Sequence, residues 1–194
     1  MAIDRKEQIY STARALFSER GYHATTVRDI ARELNMQGGS LYAHIDSKED
    51  VLWELVNRAA DQFLGVVEPI VSSAANPAVK LRAMVRAHVR VVADNLDDAT
   101  VFLHEWKFLG EERLAAVAGR RDRYERLYRQ VVDEGIKSGD FAPSDPKMAA
   151  VLVLSVVNWI PQWYKPSGRL SPDDVADSFS DLILRGLQPR EDRA

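Results

Sequence analysis

The stretch "MQGGSLYAHIDSKEDVL", Met36 to Leu52, places two adjacent glycines, Gly38 and Gly39, inside a segment that otherwise reads as helix. A glycine costs about 1 kcal/mol in a helix interior, so the bareness serves something that comes close from outside. Ser40 extends the bare side, and Gln37 and Tyr42 supply hydrogen-bonding tips. Thr25 and Thr26, at the start of the preceding helix, can present hydroxyls and backbone N–H groups to a phosphate. Lys48, in the first turn of the next helix, offers a cation to the same backbone. This set suits close approach to a large polyanion and lacks the groups that break bonds.

The elements that must hold these residues read as helices. Ile9, Ala13, Leu16 and Phe17 form an amphipathic stripe, with Gly21 as its stop. Thr26 and Asp29 form a capping-box variant for a second helix whose buried face is Val27, Ile30, Ala31 and Leu34. A turn at "LNMQ" leads to the bare third helix. Ser47 and Asp50 repeat the cap, and Val51, Leu52, Leu55, Val56 and Ala59 continue a longer helix. Three short helices in the first ~45 residues, the second and third joined by a turn, make a helix-turn-helix, whose second helix enters a major groove ~12 Å wide. Net charge is −3, and acids and bases nearly balance within residues 1–50. DNA binding would therefore rest on local placement of charge and N–H groups.

The pattern "AxxLFxxxGYxxTTVxDIAxxLxMxxGSLYxHxxSKEDxL" resembles the DNA-binding domain of the TetR family of bacterial transcriptional regulators. The resemblance spans about residues 9–52. It implies DNA-contacting roles for Thr26, Arg28, Gln37, Gly38, Ser40, Tyr42, His44 and Lys48, with Gly39 and Thr25 added by the residue chemistry above. The family often carries aromatics where this chain has Ala43 and Ile45; Ile45 can still plug the small core, while Ala43 removes one contact.

The remainder also reads as helix, so the expected fold is all-α with about nine helices: a three-helix DNA-binding domain at residues 1–50, and a larger ligand-binding and dimerisation domain at 51–194. The pattern loosens over 65–77, at Gly65, Pro69 and "SSAANP", which marks a break. Leu81, Met84, Val85, His88, Val89, Val92 and Leu96 form one face, "ATVFLHEWKFLG" a shorter apolar helix, and Leu114 to Ile136 a long one ending at Gly139. The segment "SDPKMAAVLVLSVVNWIPQWY" is apolar on two faces. Met148, Leu152, Val156, Trp159 and Trp163 make one; Ala149, Val153, Val157 and Ile160 make the other. "SPDDVADSFSDLILRGL" opens on Ser171, Pro172 and Asp174, with Val175, Phe179, Leu182 and Ile183 as its inner stripe.

A two-fold DNA operator calls for a homodimer. The two C-terminal helices are the expected interface, through Leu152, Val153, Val156, Phe179, Leu182 and Ile183. The run "WYxPxGxLSPxxVAD", about residues 159–187, resembles TetR-like repressors of lipid and sterol breakdown that respond to acyl-CoA thioesters. That resemblance implies a fatty or sterol-derived acyl-CoA effector and no bound cofactor. Met84, Phe102, Trp106, Leu127 and Trp159 could line an apolar tunnel, and Trp163 could stack on an adenine ring. Arginines, including the stripe Arg82, Arg86, Arg90 and five more in "GRRDRYERLYR", either meet phosphates or pair with acids as a solvated face. His88 lies on an apolar face, as a core histidine or a ligand contact.

Other classes find less support. There is no cysteine, no Gly-x-Ser-x-Gly, P-loop, dinucleotide fingerprint or His-Glu-x-x-His, and no His-x₃-His pair for a metal. Neither catalytic nor metal-binding residues are expected. The charged start "MAIDRKEQIY" lacks the apolar region of a signal peptide, and the longest apolar run is too short to span a membrane. A cytoplasmic protein is the expectation. A regulator of drug efflux sensing aromatic or cationic compounds, and a DNA-binding dimer without a small ligand, stand as alternatives.

Overall fold

The computed structural model describes residues 4–189, all of whose regular elements are helical. Nine α-helices follow in order among them: α1 Arg5–Arg20, α2 Val27–Glu33, α3 Gly38–Leu41, α4 Lys48–Val71, α5 Pro77–Asp94, α6 Leu96–Thr100, α7 Glu111–Ser138, α8 Pro146–Asn158 and α9 Pro172–Leu187. Two compact units result. One comprises Met1–Asp61 and Asn95–Gly119, the other Gln62–Asp94 and Arg120–Ala194. Division by compactness thus does not follow a single cut, because Asn95–Gly119 belongs with the N-terminal part.

Helix ends form where side chains can satisfy exposed backbone groups. Thr26 caps α2 through a complete capping box with Asp29, and Ser171 caps α9 the same way with Asp174. Ser47 Oγ accepts from the Asp50 N–H at 3.0 Å and opens α4. Gly21 and Gly139 adopt φ of +84°, the left-handed conformation that stops α1 and α7. At the end of α2, Asn35 takes φ +52°. There the Met36 N–H donates to the Ala31 carbonyl at 2.8 Å and the Asn35 N–H to that of Arg32 at 3.1 Å, a Schellman closure. This closure makes the "LNMQ" turn.

Two expectations change. Helix α4 runs unbroken through Gly65 and Pro69 to Val71. Both residues are exposed, so water can satisfy the Gly65 carbonyl that the proline leaves without an amide. The segment "ATVFLHEWKFLG" is not one regular helix. After α6 it widens into a π-helical turn at Val101–Glu105, then tightens into a 3₁₀ turn at Trp106–Phe108. The Glu105 carboxylate there accepts the Tyr22 N–H at 2.7 Å.

In the first unit Ile9, Leu16 and Phe17 of α1, Ile30 and Ala31 of α2, Leu41, Ile45, and Val51 and Leu52 of α4 form the buried core. In the second, Leu81, Met84, Val85, His88 and Val89 of α5, Tyr128, Val131 and Val132 of α7, Val153 and Val157 of α8, and Val175 and Ala176 of α9 do so. The inner stripe of α9 is therefore Val175, Ala176 and Ser180, with Phe179 and Ile183 half-buried. Leu182 is 69% exposed, which corrects its expected inward place.

Candidate nucleic-acid interface and ligand-binding region

Helix α3 is one turn long, and the chain around it sorts cleanly. Leu41 and Ile45 are buried and pin it to the core. Gln37, Gly39, Ser40 and His44 are exposed, as is Tyr42 at 56%. A Cβ built on Gly38 or Gly39 would meet nothing within 4 Å. Neither glycine has positive φ. No packing contact and no backbone conformation within the unit asks for glycine at these two positions. Thr26 and Arg28, at the start of α2, are also exposed, and Thr26 Oγ1 is engaged with Asp29 in the cap.

Thr25 and Lys48 have internal partners instead of the outward ones expected. Thr25 is fully buried, and its hydroxyl lies 3.0 Å from the Gly21 carbonyl and 3.3 Å from that of Leu16. Lys48 Nζ donates to the carbonyls of Tyr22 and Thr25, each at 2.7 Å, and sits 4.1 Å from the Tyr22 ring centroid. Burial lowers its pKa from the ordinary lysine value. Two of its three N–H donors are spent on the turn between α1 and α2. Around that turn, Tyr22 stacks on Phe108, and the His23 ring meets Phe108 edge-on. The Gly110 N–H donates to Glu49, and Arg113 pairs with Glu49 and Asp50. Glu105 and Arg113 escaped the sequence reading because both act across more than 60 residues.

The seven residues expected around a ligand do not all share one environment. Phe102 and Trp106 belong to the first unit; Met84, His88, Leu127, Trp159 and Trp163 belong to the second. Met84 is fully buried and Leu127 half-buried. Trp159 is 60% exposed and does not line an interior tunnel. Trp163 is partly exposed, with its ring edge-on to Phe179. His88 lies wholly inside: its Nδ1 is 3.0 Å from the Tyr124 hydroxyl, and its ring is 4.8 Å from that of Phe63. The Tyr128 hydroxyl donates to the Met84 carbonyl and lies 3.5 Å from that of Tyr124, so the two tyrosines and the His88 ring form one chain of hydrogen-bonding groups. Nε2 has no hydrogen-bond partner; the Val157 carbonyl is near enough only to oppose weakly the effect of burial, which pushes the His88 pKa down to about 3. Tyr124 and Tyr128, one turn apart on α7, were the signal for this cluster.

The arginine stripe of α5 is paired. Arg82 meets Asp181 at 2.6 Å, Arg86 meets Asp173 at 2.9 Å and also Asp177, and Arg90 meets Asp173 at 3.0 Å. The rising arginine numbers against falling aspartate numbers run α5 antiparallel to α9. These groups are a third to a half exposed, so each pair contributes about 0–1 kcal/mol; the ladder fixes register more than stability.

The two apolar faces of α8 separate as expected. Ala149, Val153, Val157 and Ile160 are buried; Met148, Val151, Leu152 and Trp159 are exposed, and Val156 is half-buried. Val153, expected at a dimer interface, lies in the core because it falls on the other face. Leu152 at 63% and Leu182 at 69% exposure are large aliphatic side chains left in water on neighbouring helices.

A bare one-turn helix following a tight turn, joined to a larger all-helical unit with an uncovered apolar face, defines a helix-turn-helix regulator. Comparison with known proteins agrees. Residues 74–187 match the family model described as "Tetracyclin repressor-like, C-terminal domain", and residues 9–55 match "Bacterial regulatory proteins, tetR family". The chain belongs to the TetR family of bacterial regulatory proteins and is a ligand-responsive DNA-binding regulator of homodimeric architecture. Among its relatives is the HTH-type transcriptional repressor KstR2 of Rhodococcus jostii, 31% identical over 94% of this chain and 91% of the relative. The ketosteroid transcriptional regulator KstR2 of Mycobacterium tuberculosis superposes with a TM-score of 0.91 at 28% identity, covering 98% of both chains. AibR, solved with isovaleryl coenzyme A and operator DNA, superposes at 0.85 with 31% identity, covering 93% of this chain and 98% of that one. Among the described residues no group of three or more His, Asp or Glu is placed to hold a metal, and no helix is long and apolar enough to cross a membrane.

Two outcomes follow from these contacts. Replacing Lys48 with Met strands two carbonyls and should cost about 1.5–3 kcal/mol, read as a lowered midpoint in urea unfolding; an unchanged midpoint would mean the clamp contributes nothing. His88 is neutral when folded, while the unfolded chain takes up a proton near pH 6.5. Stability is therefore full above that value and falls as pH drops toward 3. Between pH 7.5 and 5 the loss should be about 2 kcal/mol. The carboxylates whose pKa is lowered by partners act below this window. His88→Gln should flatten the decline, and an equal decline in wild type and variant would assign it to other groups.

Proposed function

We propose that the chain is a transcriptional repressor whose dimer lays two copies of α3 in successive major grooves, and that an acyl-CoA releases it. The DNA-binding reading rests above all on the glycine pair. Gly38 and Gly39 border open space in ordinary backbone conformations, so the missing side chains benefit a surface brought from outside. Gln37, Ser40, Tyr42, His44 and Arg28 would supply contacts around that approach, with Thr26 at the phosphate side of α2. Thr25 and Lys48 would act through the turn they hold, with the third Lys48 donor free for a phosphate.

The dimer would form through the exposed face of α8 with its half-buried Val156, and through Leu182 and the half-buried Phe179 and Ile183 of α9. Met148, Val151, Leu152 and Trp159 are left exposed among the described residues, and burying such a face is what an obligate interface does. The acyl-CoA reading draws on the relatives: AibR was solved with isovaleryl coenzyme A, and KstR2 is named for ketosteroids. In the second unit, Met84, His88 and Leu127 supply a largely apolar interior that also holds a neutral imidazole. A hundredfold preference of ligand for the DNA-incompetent state, about 2.7 kcal/mol, would shift the population far enough to release DNA.

The test uses duplexes that the protein itself selects from a random pool. Gly39→Leu should weaken binding to them tenfold or more, about 1.4 kcal/mol, with melting temperature unchanged or raised. Wild-type affinity in that variant would remove α3 from the interface. Acyl-CoAs of several chain lengths, free CoA, free fatty acids and a cationic aromatic dye are then titrated into the complex. Release by an acyl-CoA alone is the expected result; release by the dye alone would replace the acyl-CoA reading with that of a drug-efflux regulator.

A further inference from the structure

The second unit carries a cleft of about 600 Å³ between one face of α7 and the start of α8. Its lining is Arg126, Arg129, Gln130 and Asp133 from α7, with Asp145, Pro146 and Lys147 from α8. The α7 residues fall at i, i+3, i+4 and i+7, a single helix face. The wall has no aromatic, and every lining residue but Pro146 carries a charge or an amide, their aliphatic stems supplying the rest of the surface, so it suits a hydrated, charged guest better than an acyl chain.

What marks the cleft is which charges are already spent. The Asp133 carboxylate accepts from Lys137 at 2.6 Å. The Asp145 carboxylate accepts the Lys147 and Met148 backbone N–H groups as the cap of α8. Gln130 donates its amide to Glu134. The three cations have no such commitment: among the described residues, Arg126, Arg129 and the Lys147 ammonium meet no carboxylate. Several other cations are paired, as at Arg14–Asp98, Arg58–Glu7, Lys80–Glu134, Arg123–Glu68 and the α5–α9 ladder; what sets these three apart is that they face one cleft together. In a protein of net charge −3, three unpaired cations face one cleft in which Asp133 is offset by Lys137 and Asp145 is engaged by backbone N–H groups, so positive charge is in excess there.

We propose that this cleft binds the polyphosphate group of a small phosphorylated molecule. Two guanidinium groups three residues apart can each grip phosphoryl oxygens bidentately, and an ammonium across the cleft adds a point charge. Three positive charges match a pyrophosphate unit better than a single carboxylate. The group could belong to a free nucleotide or to the nucleotide end of a coenzyme A, and both present the same oxygens. The proposal does not rest on the effector reading, since it requires neither an acyl chain nor DNA.

Calorimetric titration of the full chain with pyrophosphate, ADP and free coenzyme A tests it. At least pyrophosphate should bind saturably, and Arg126→Gln with Arg129→Gln should weaken it tenfold or more while the melting temperature holds. Arg169→Gln, outside the cleft, should bind as wild type. Tighter binding of ADP would identify a free nucleotide as the source, and tighter binding of coenzyme A the thioester's nucleotide end. Absence of binding by all three probes, or equal binding by the double variant, would overturn the site, whatever the outcome of the DNA-release titration.

Discussion

A lysine ammonium held between two backbone carbonyls is the contact on which the DNA-binding half depends. Lys48 opens α4 and reaches back over more than 20 residues to Tyr22 and Thr25. Those carbonyls belong to the turn that ends at the α2 cap. Fixing them fixes where Thr26 begins α2, and the Schellman closure at Asn35 then sets where α3 emerges. A helix of one turn has almost no stability of its own. Its position comes from Leu41 and Ile45 below it and from this chain of caps and clamps before it.

That arrangement lets α3 be bare. A longer helix could hold itself together with side chains, but they would keep a phosphate backbone at a distance. Here the stabilising contacts lie beneath and beside α3, and the outer side stays free. The same division recurs in the second unit. One face of α8 is buried in the core with Val153 and Val157, and the opposite face, with Leu152 and Trp159, is left to water. In both places the inner face is packed and the outer one stays exposed.

Much of this was legible in the sequence, and what was not has a physical reason. Caps are local, so Thr26 with Asp29, Ser171 with Asp174, and the stops at Gly21 and Gly139 read directly. The two faces of α8 followed from helical periodicity. Periodicity reports a residue's face and not its partner, so Lys48 and Thr25 looked outward when both turn in. Apolar type does not by itself mean burial, so Leu182 reads as inward yet is exposed, and Val153 lies in the core because its own face points there. The α5–α9 ladder left a trace: Arg82, Arg86 and Arg90, and Asp173, Asp177 and Asp181, are stripes of equal spacing and opposite charge. The spacing alone could not pair them, since ~90 residues separate them. The π-helical turn at Val101–Glu105 left no recognisable signal, and neither did the reach of Glu105 to Tyr22.

In the proposed complex, DNA lies against the uncovered side of α3. Amide hydrogen exchange of the full chain, alone and bound to a selected duplex, reads this directly. New protection is expected over residues 37–44 and the start of α2 when DNA binds, with little change along the exposed face of α8, which the proposed dimer would already cover. Protection that leaves residues 37–44 unchanged and appears elsewhere would contradict it.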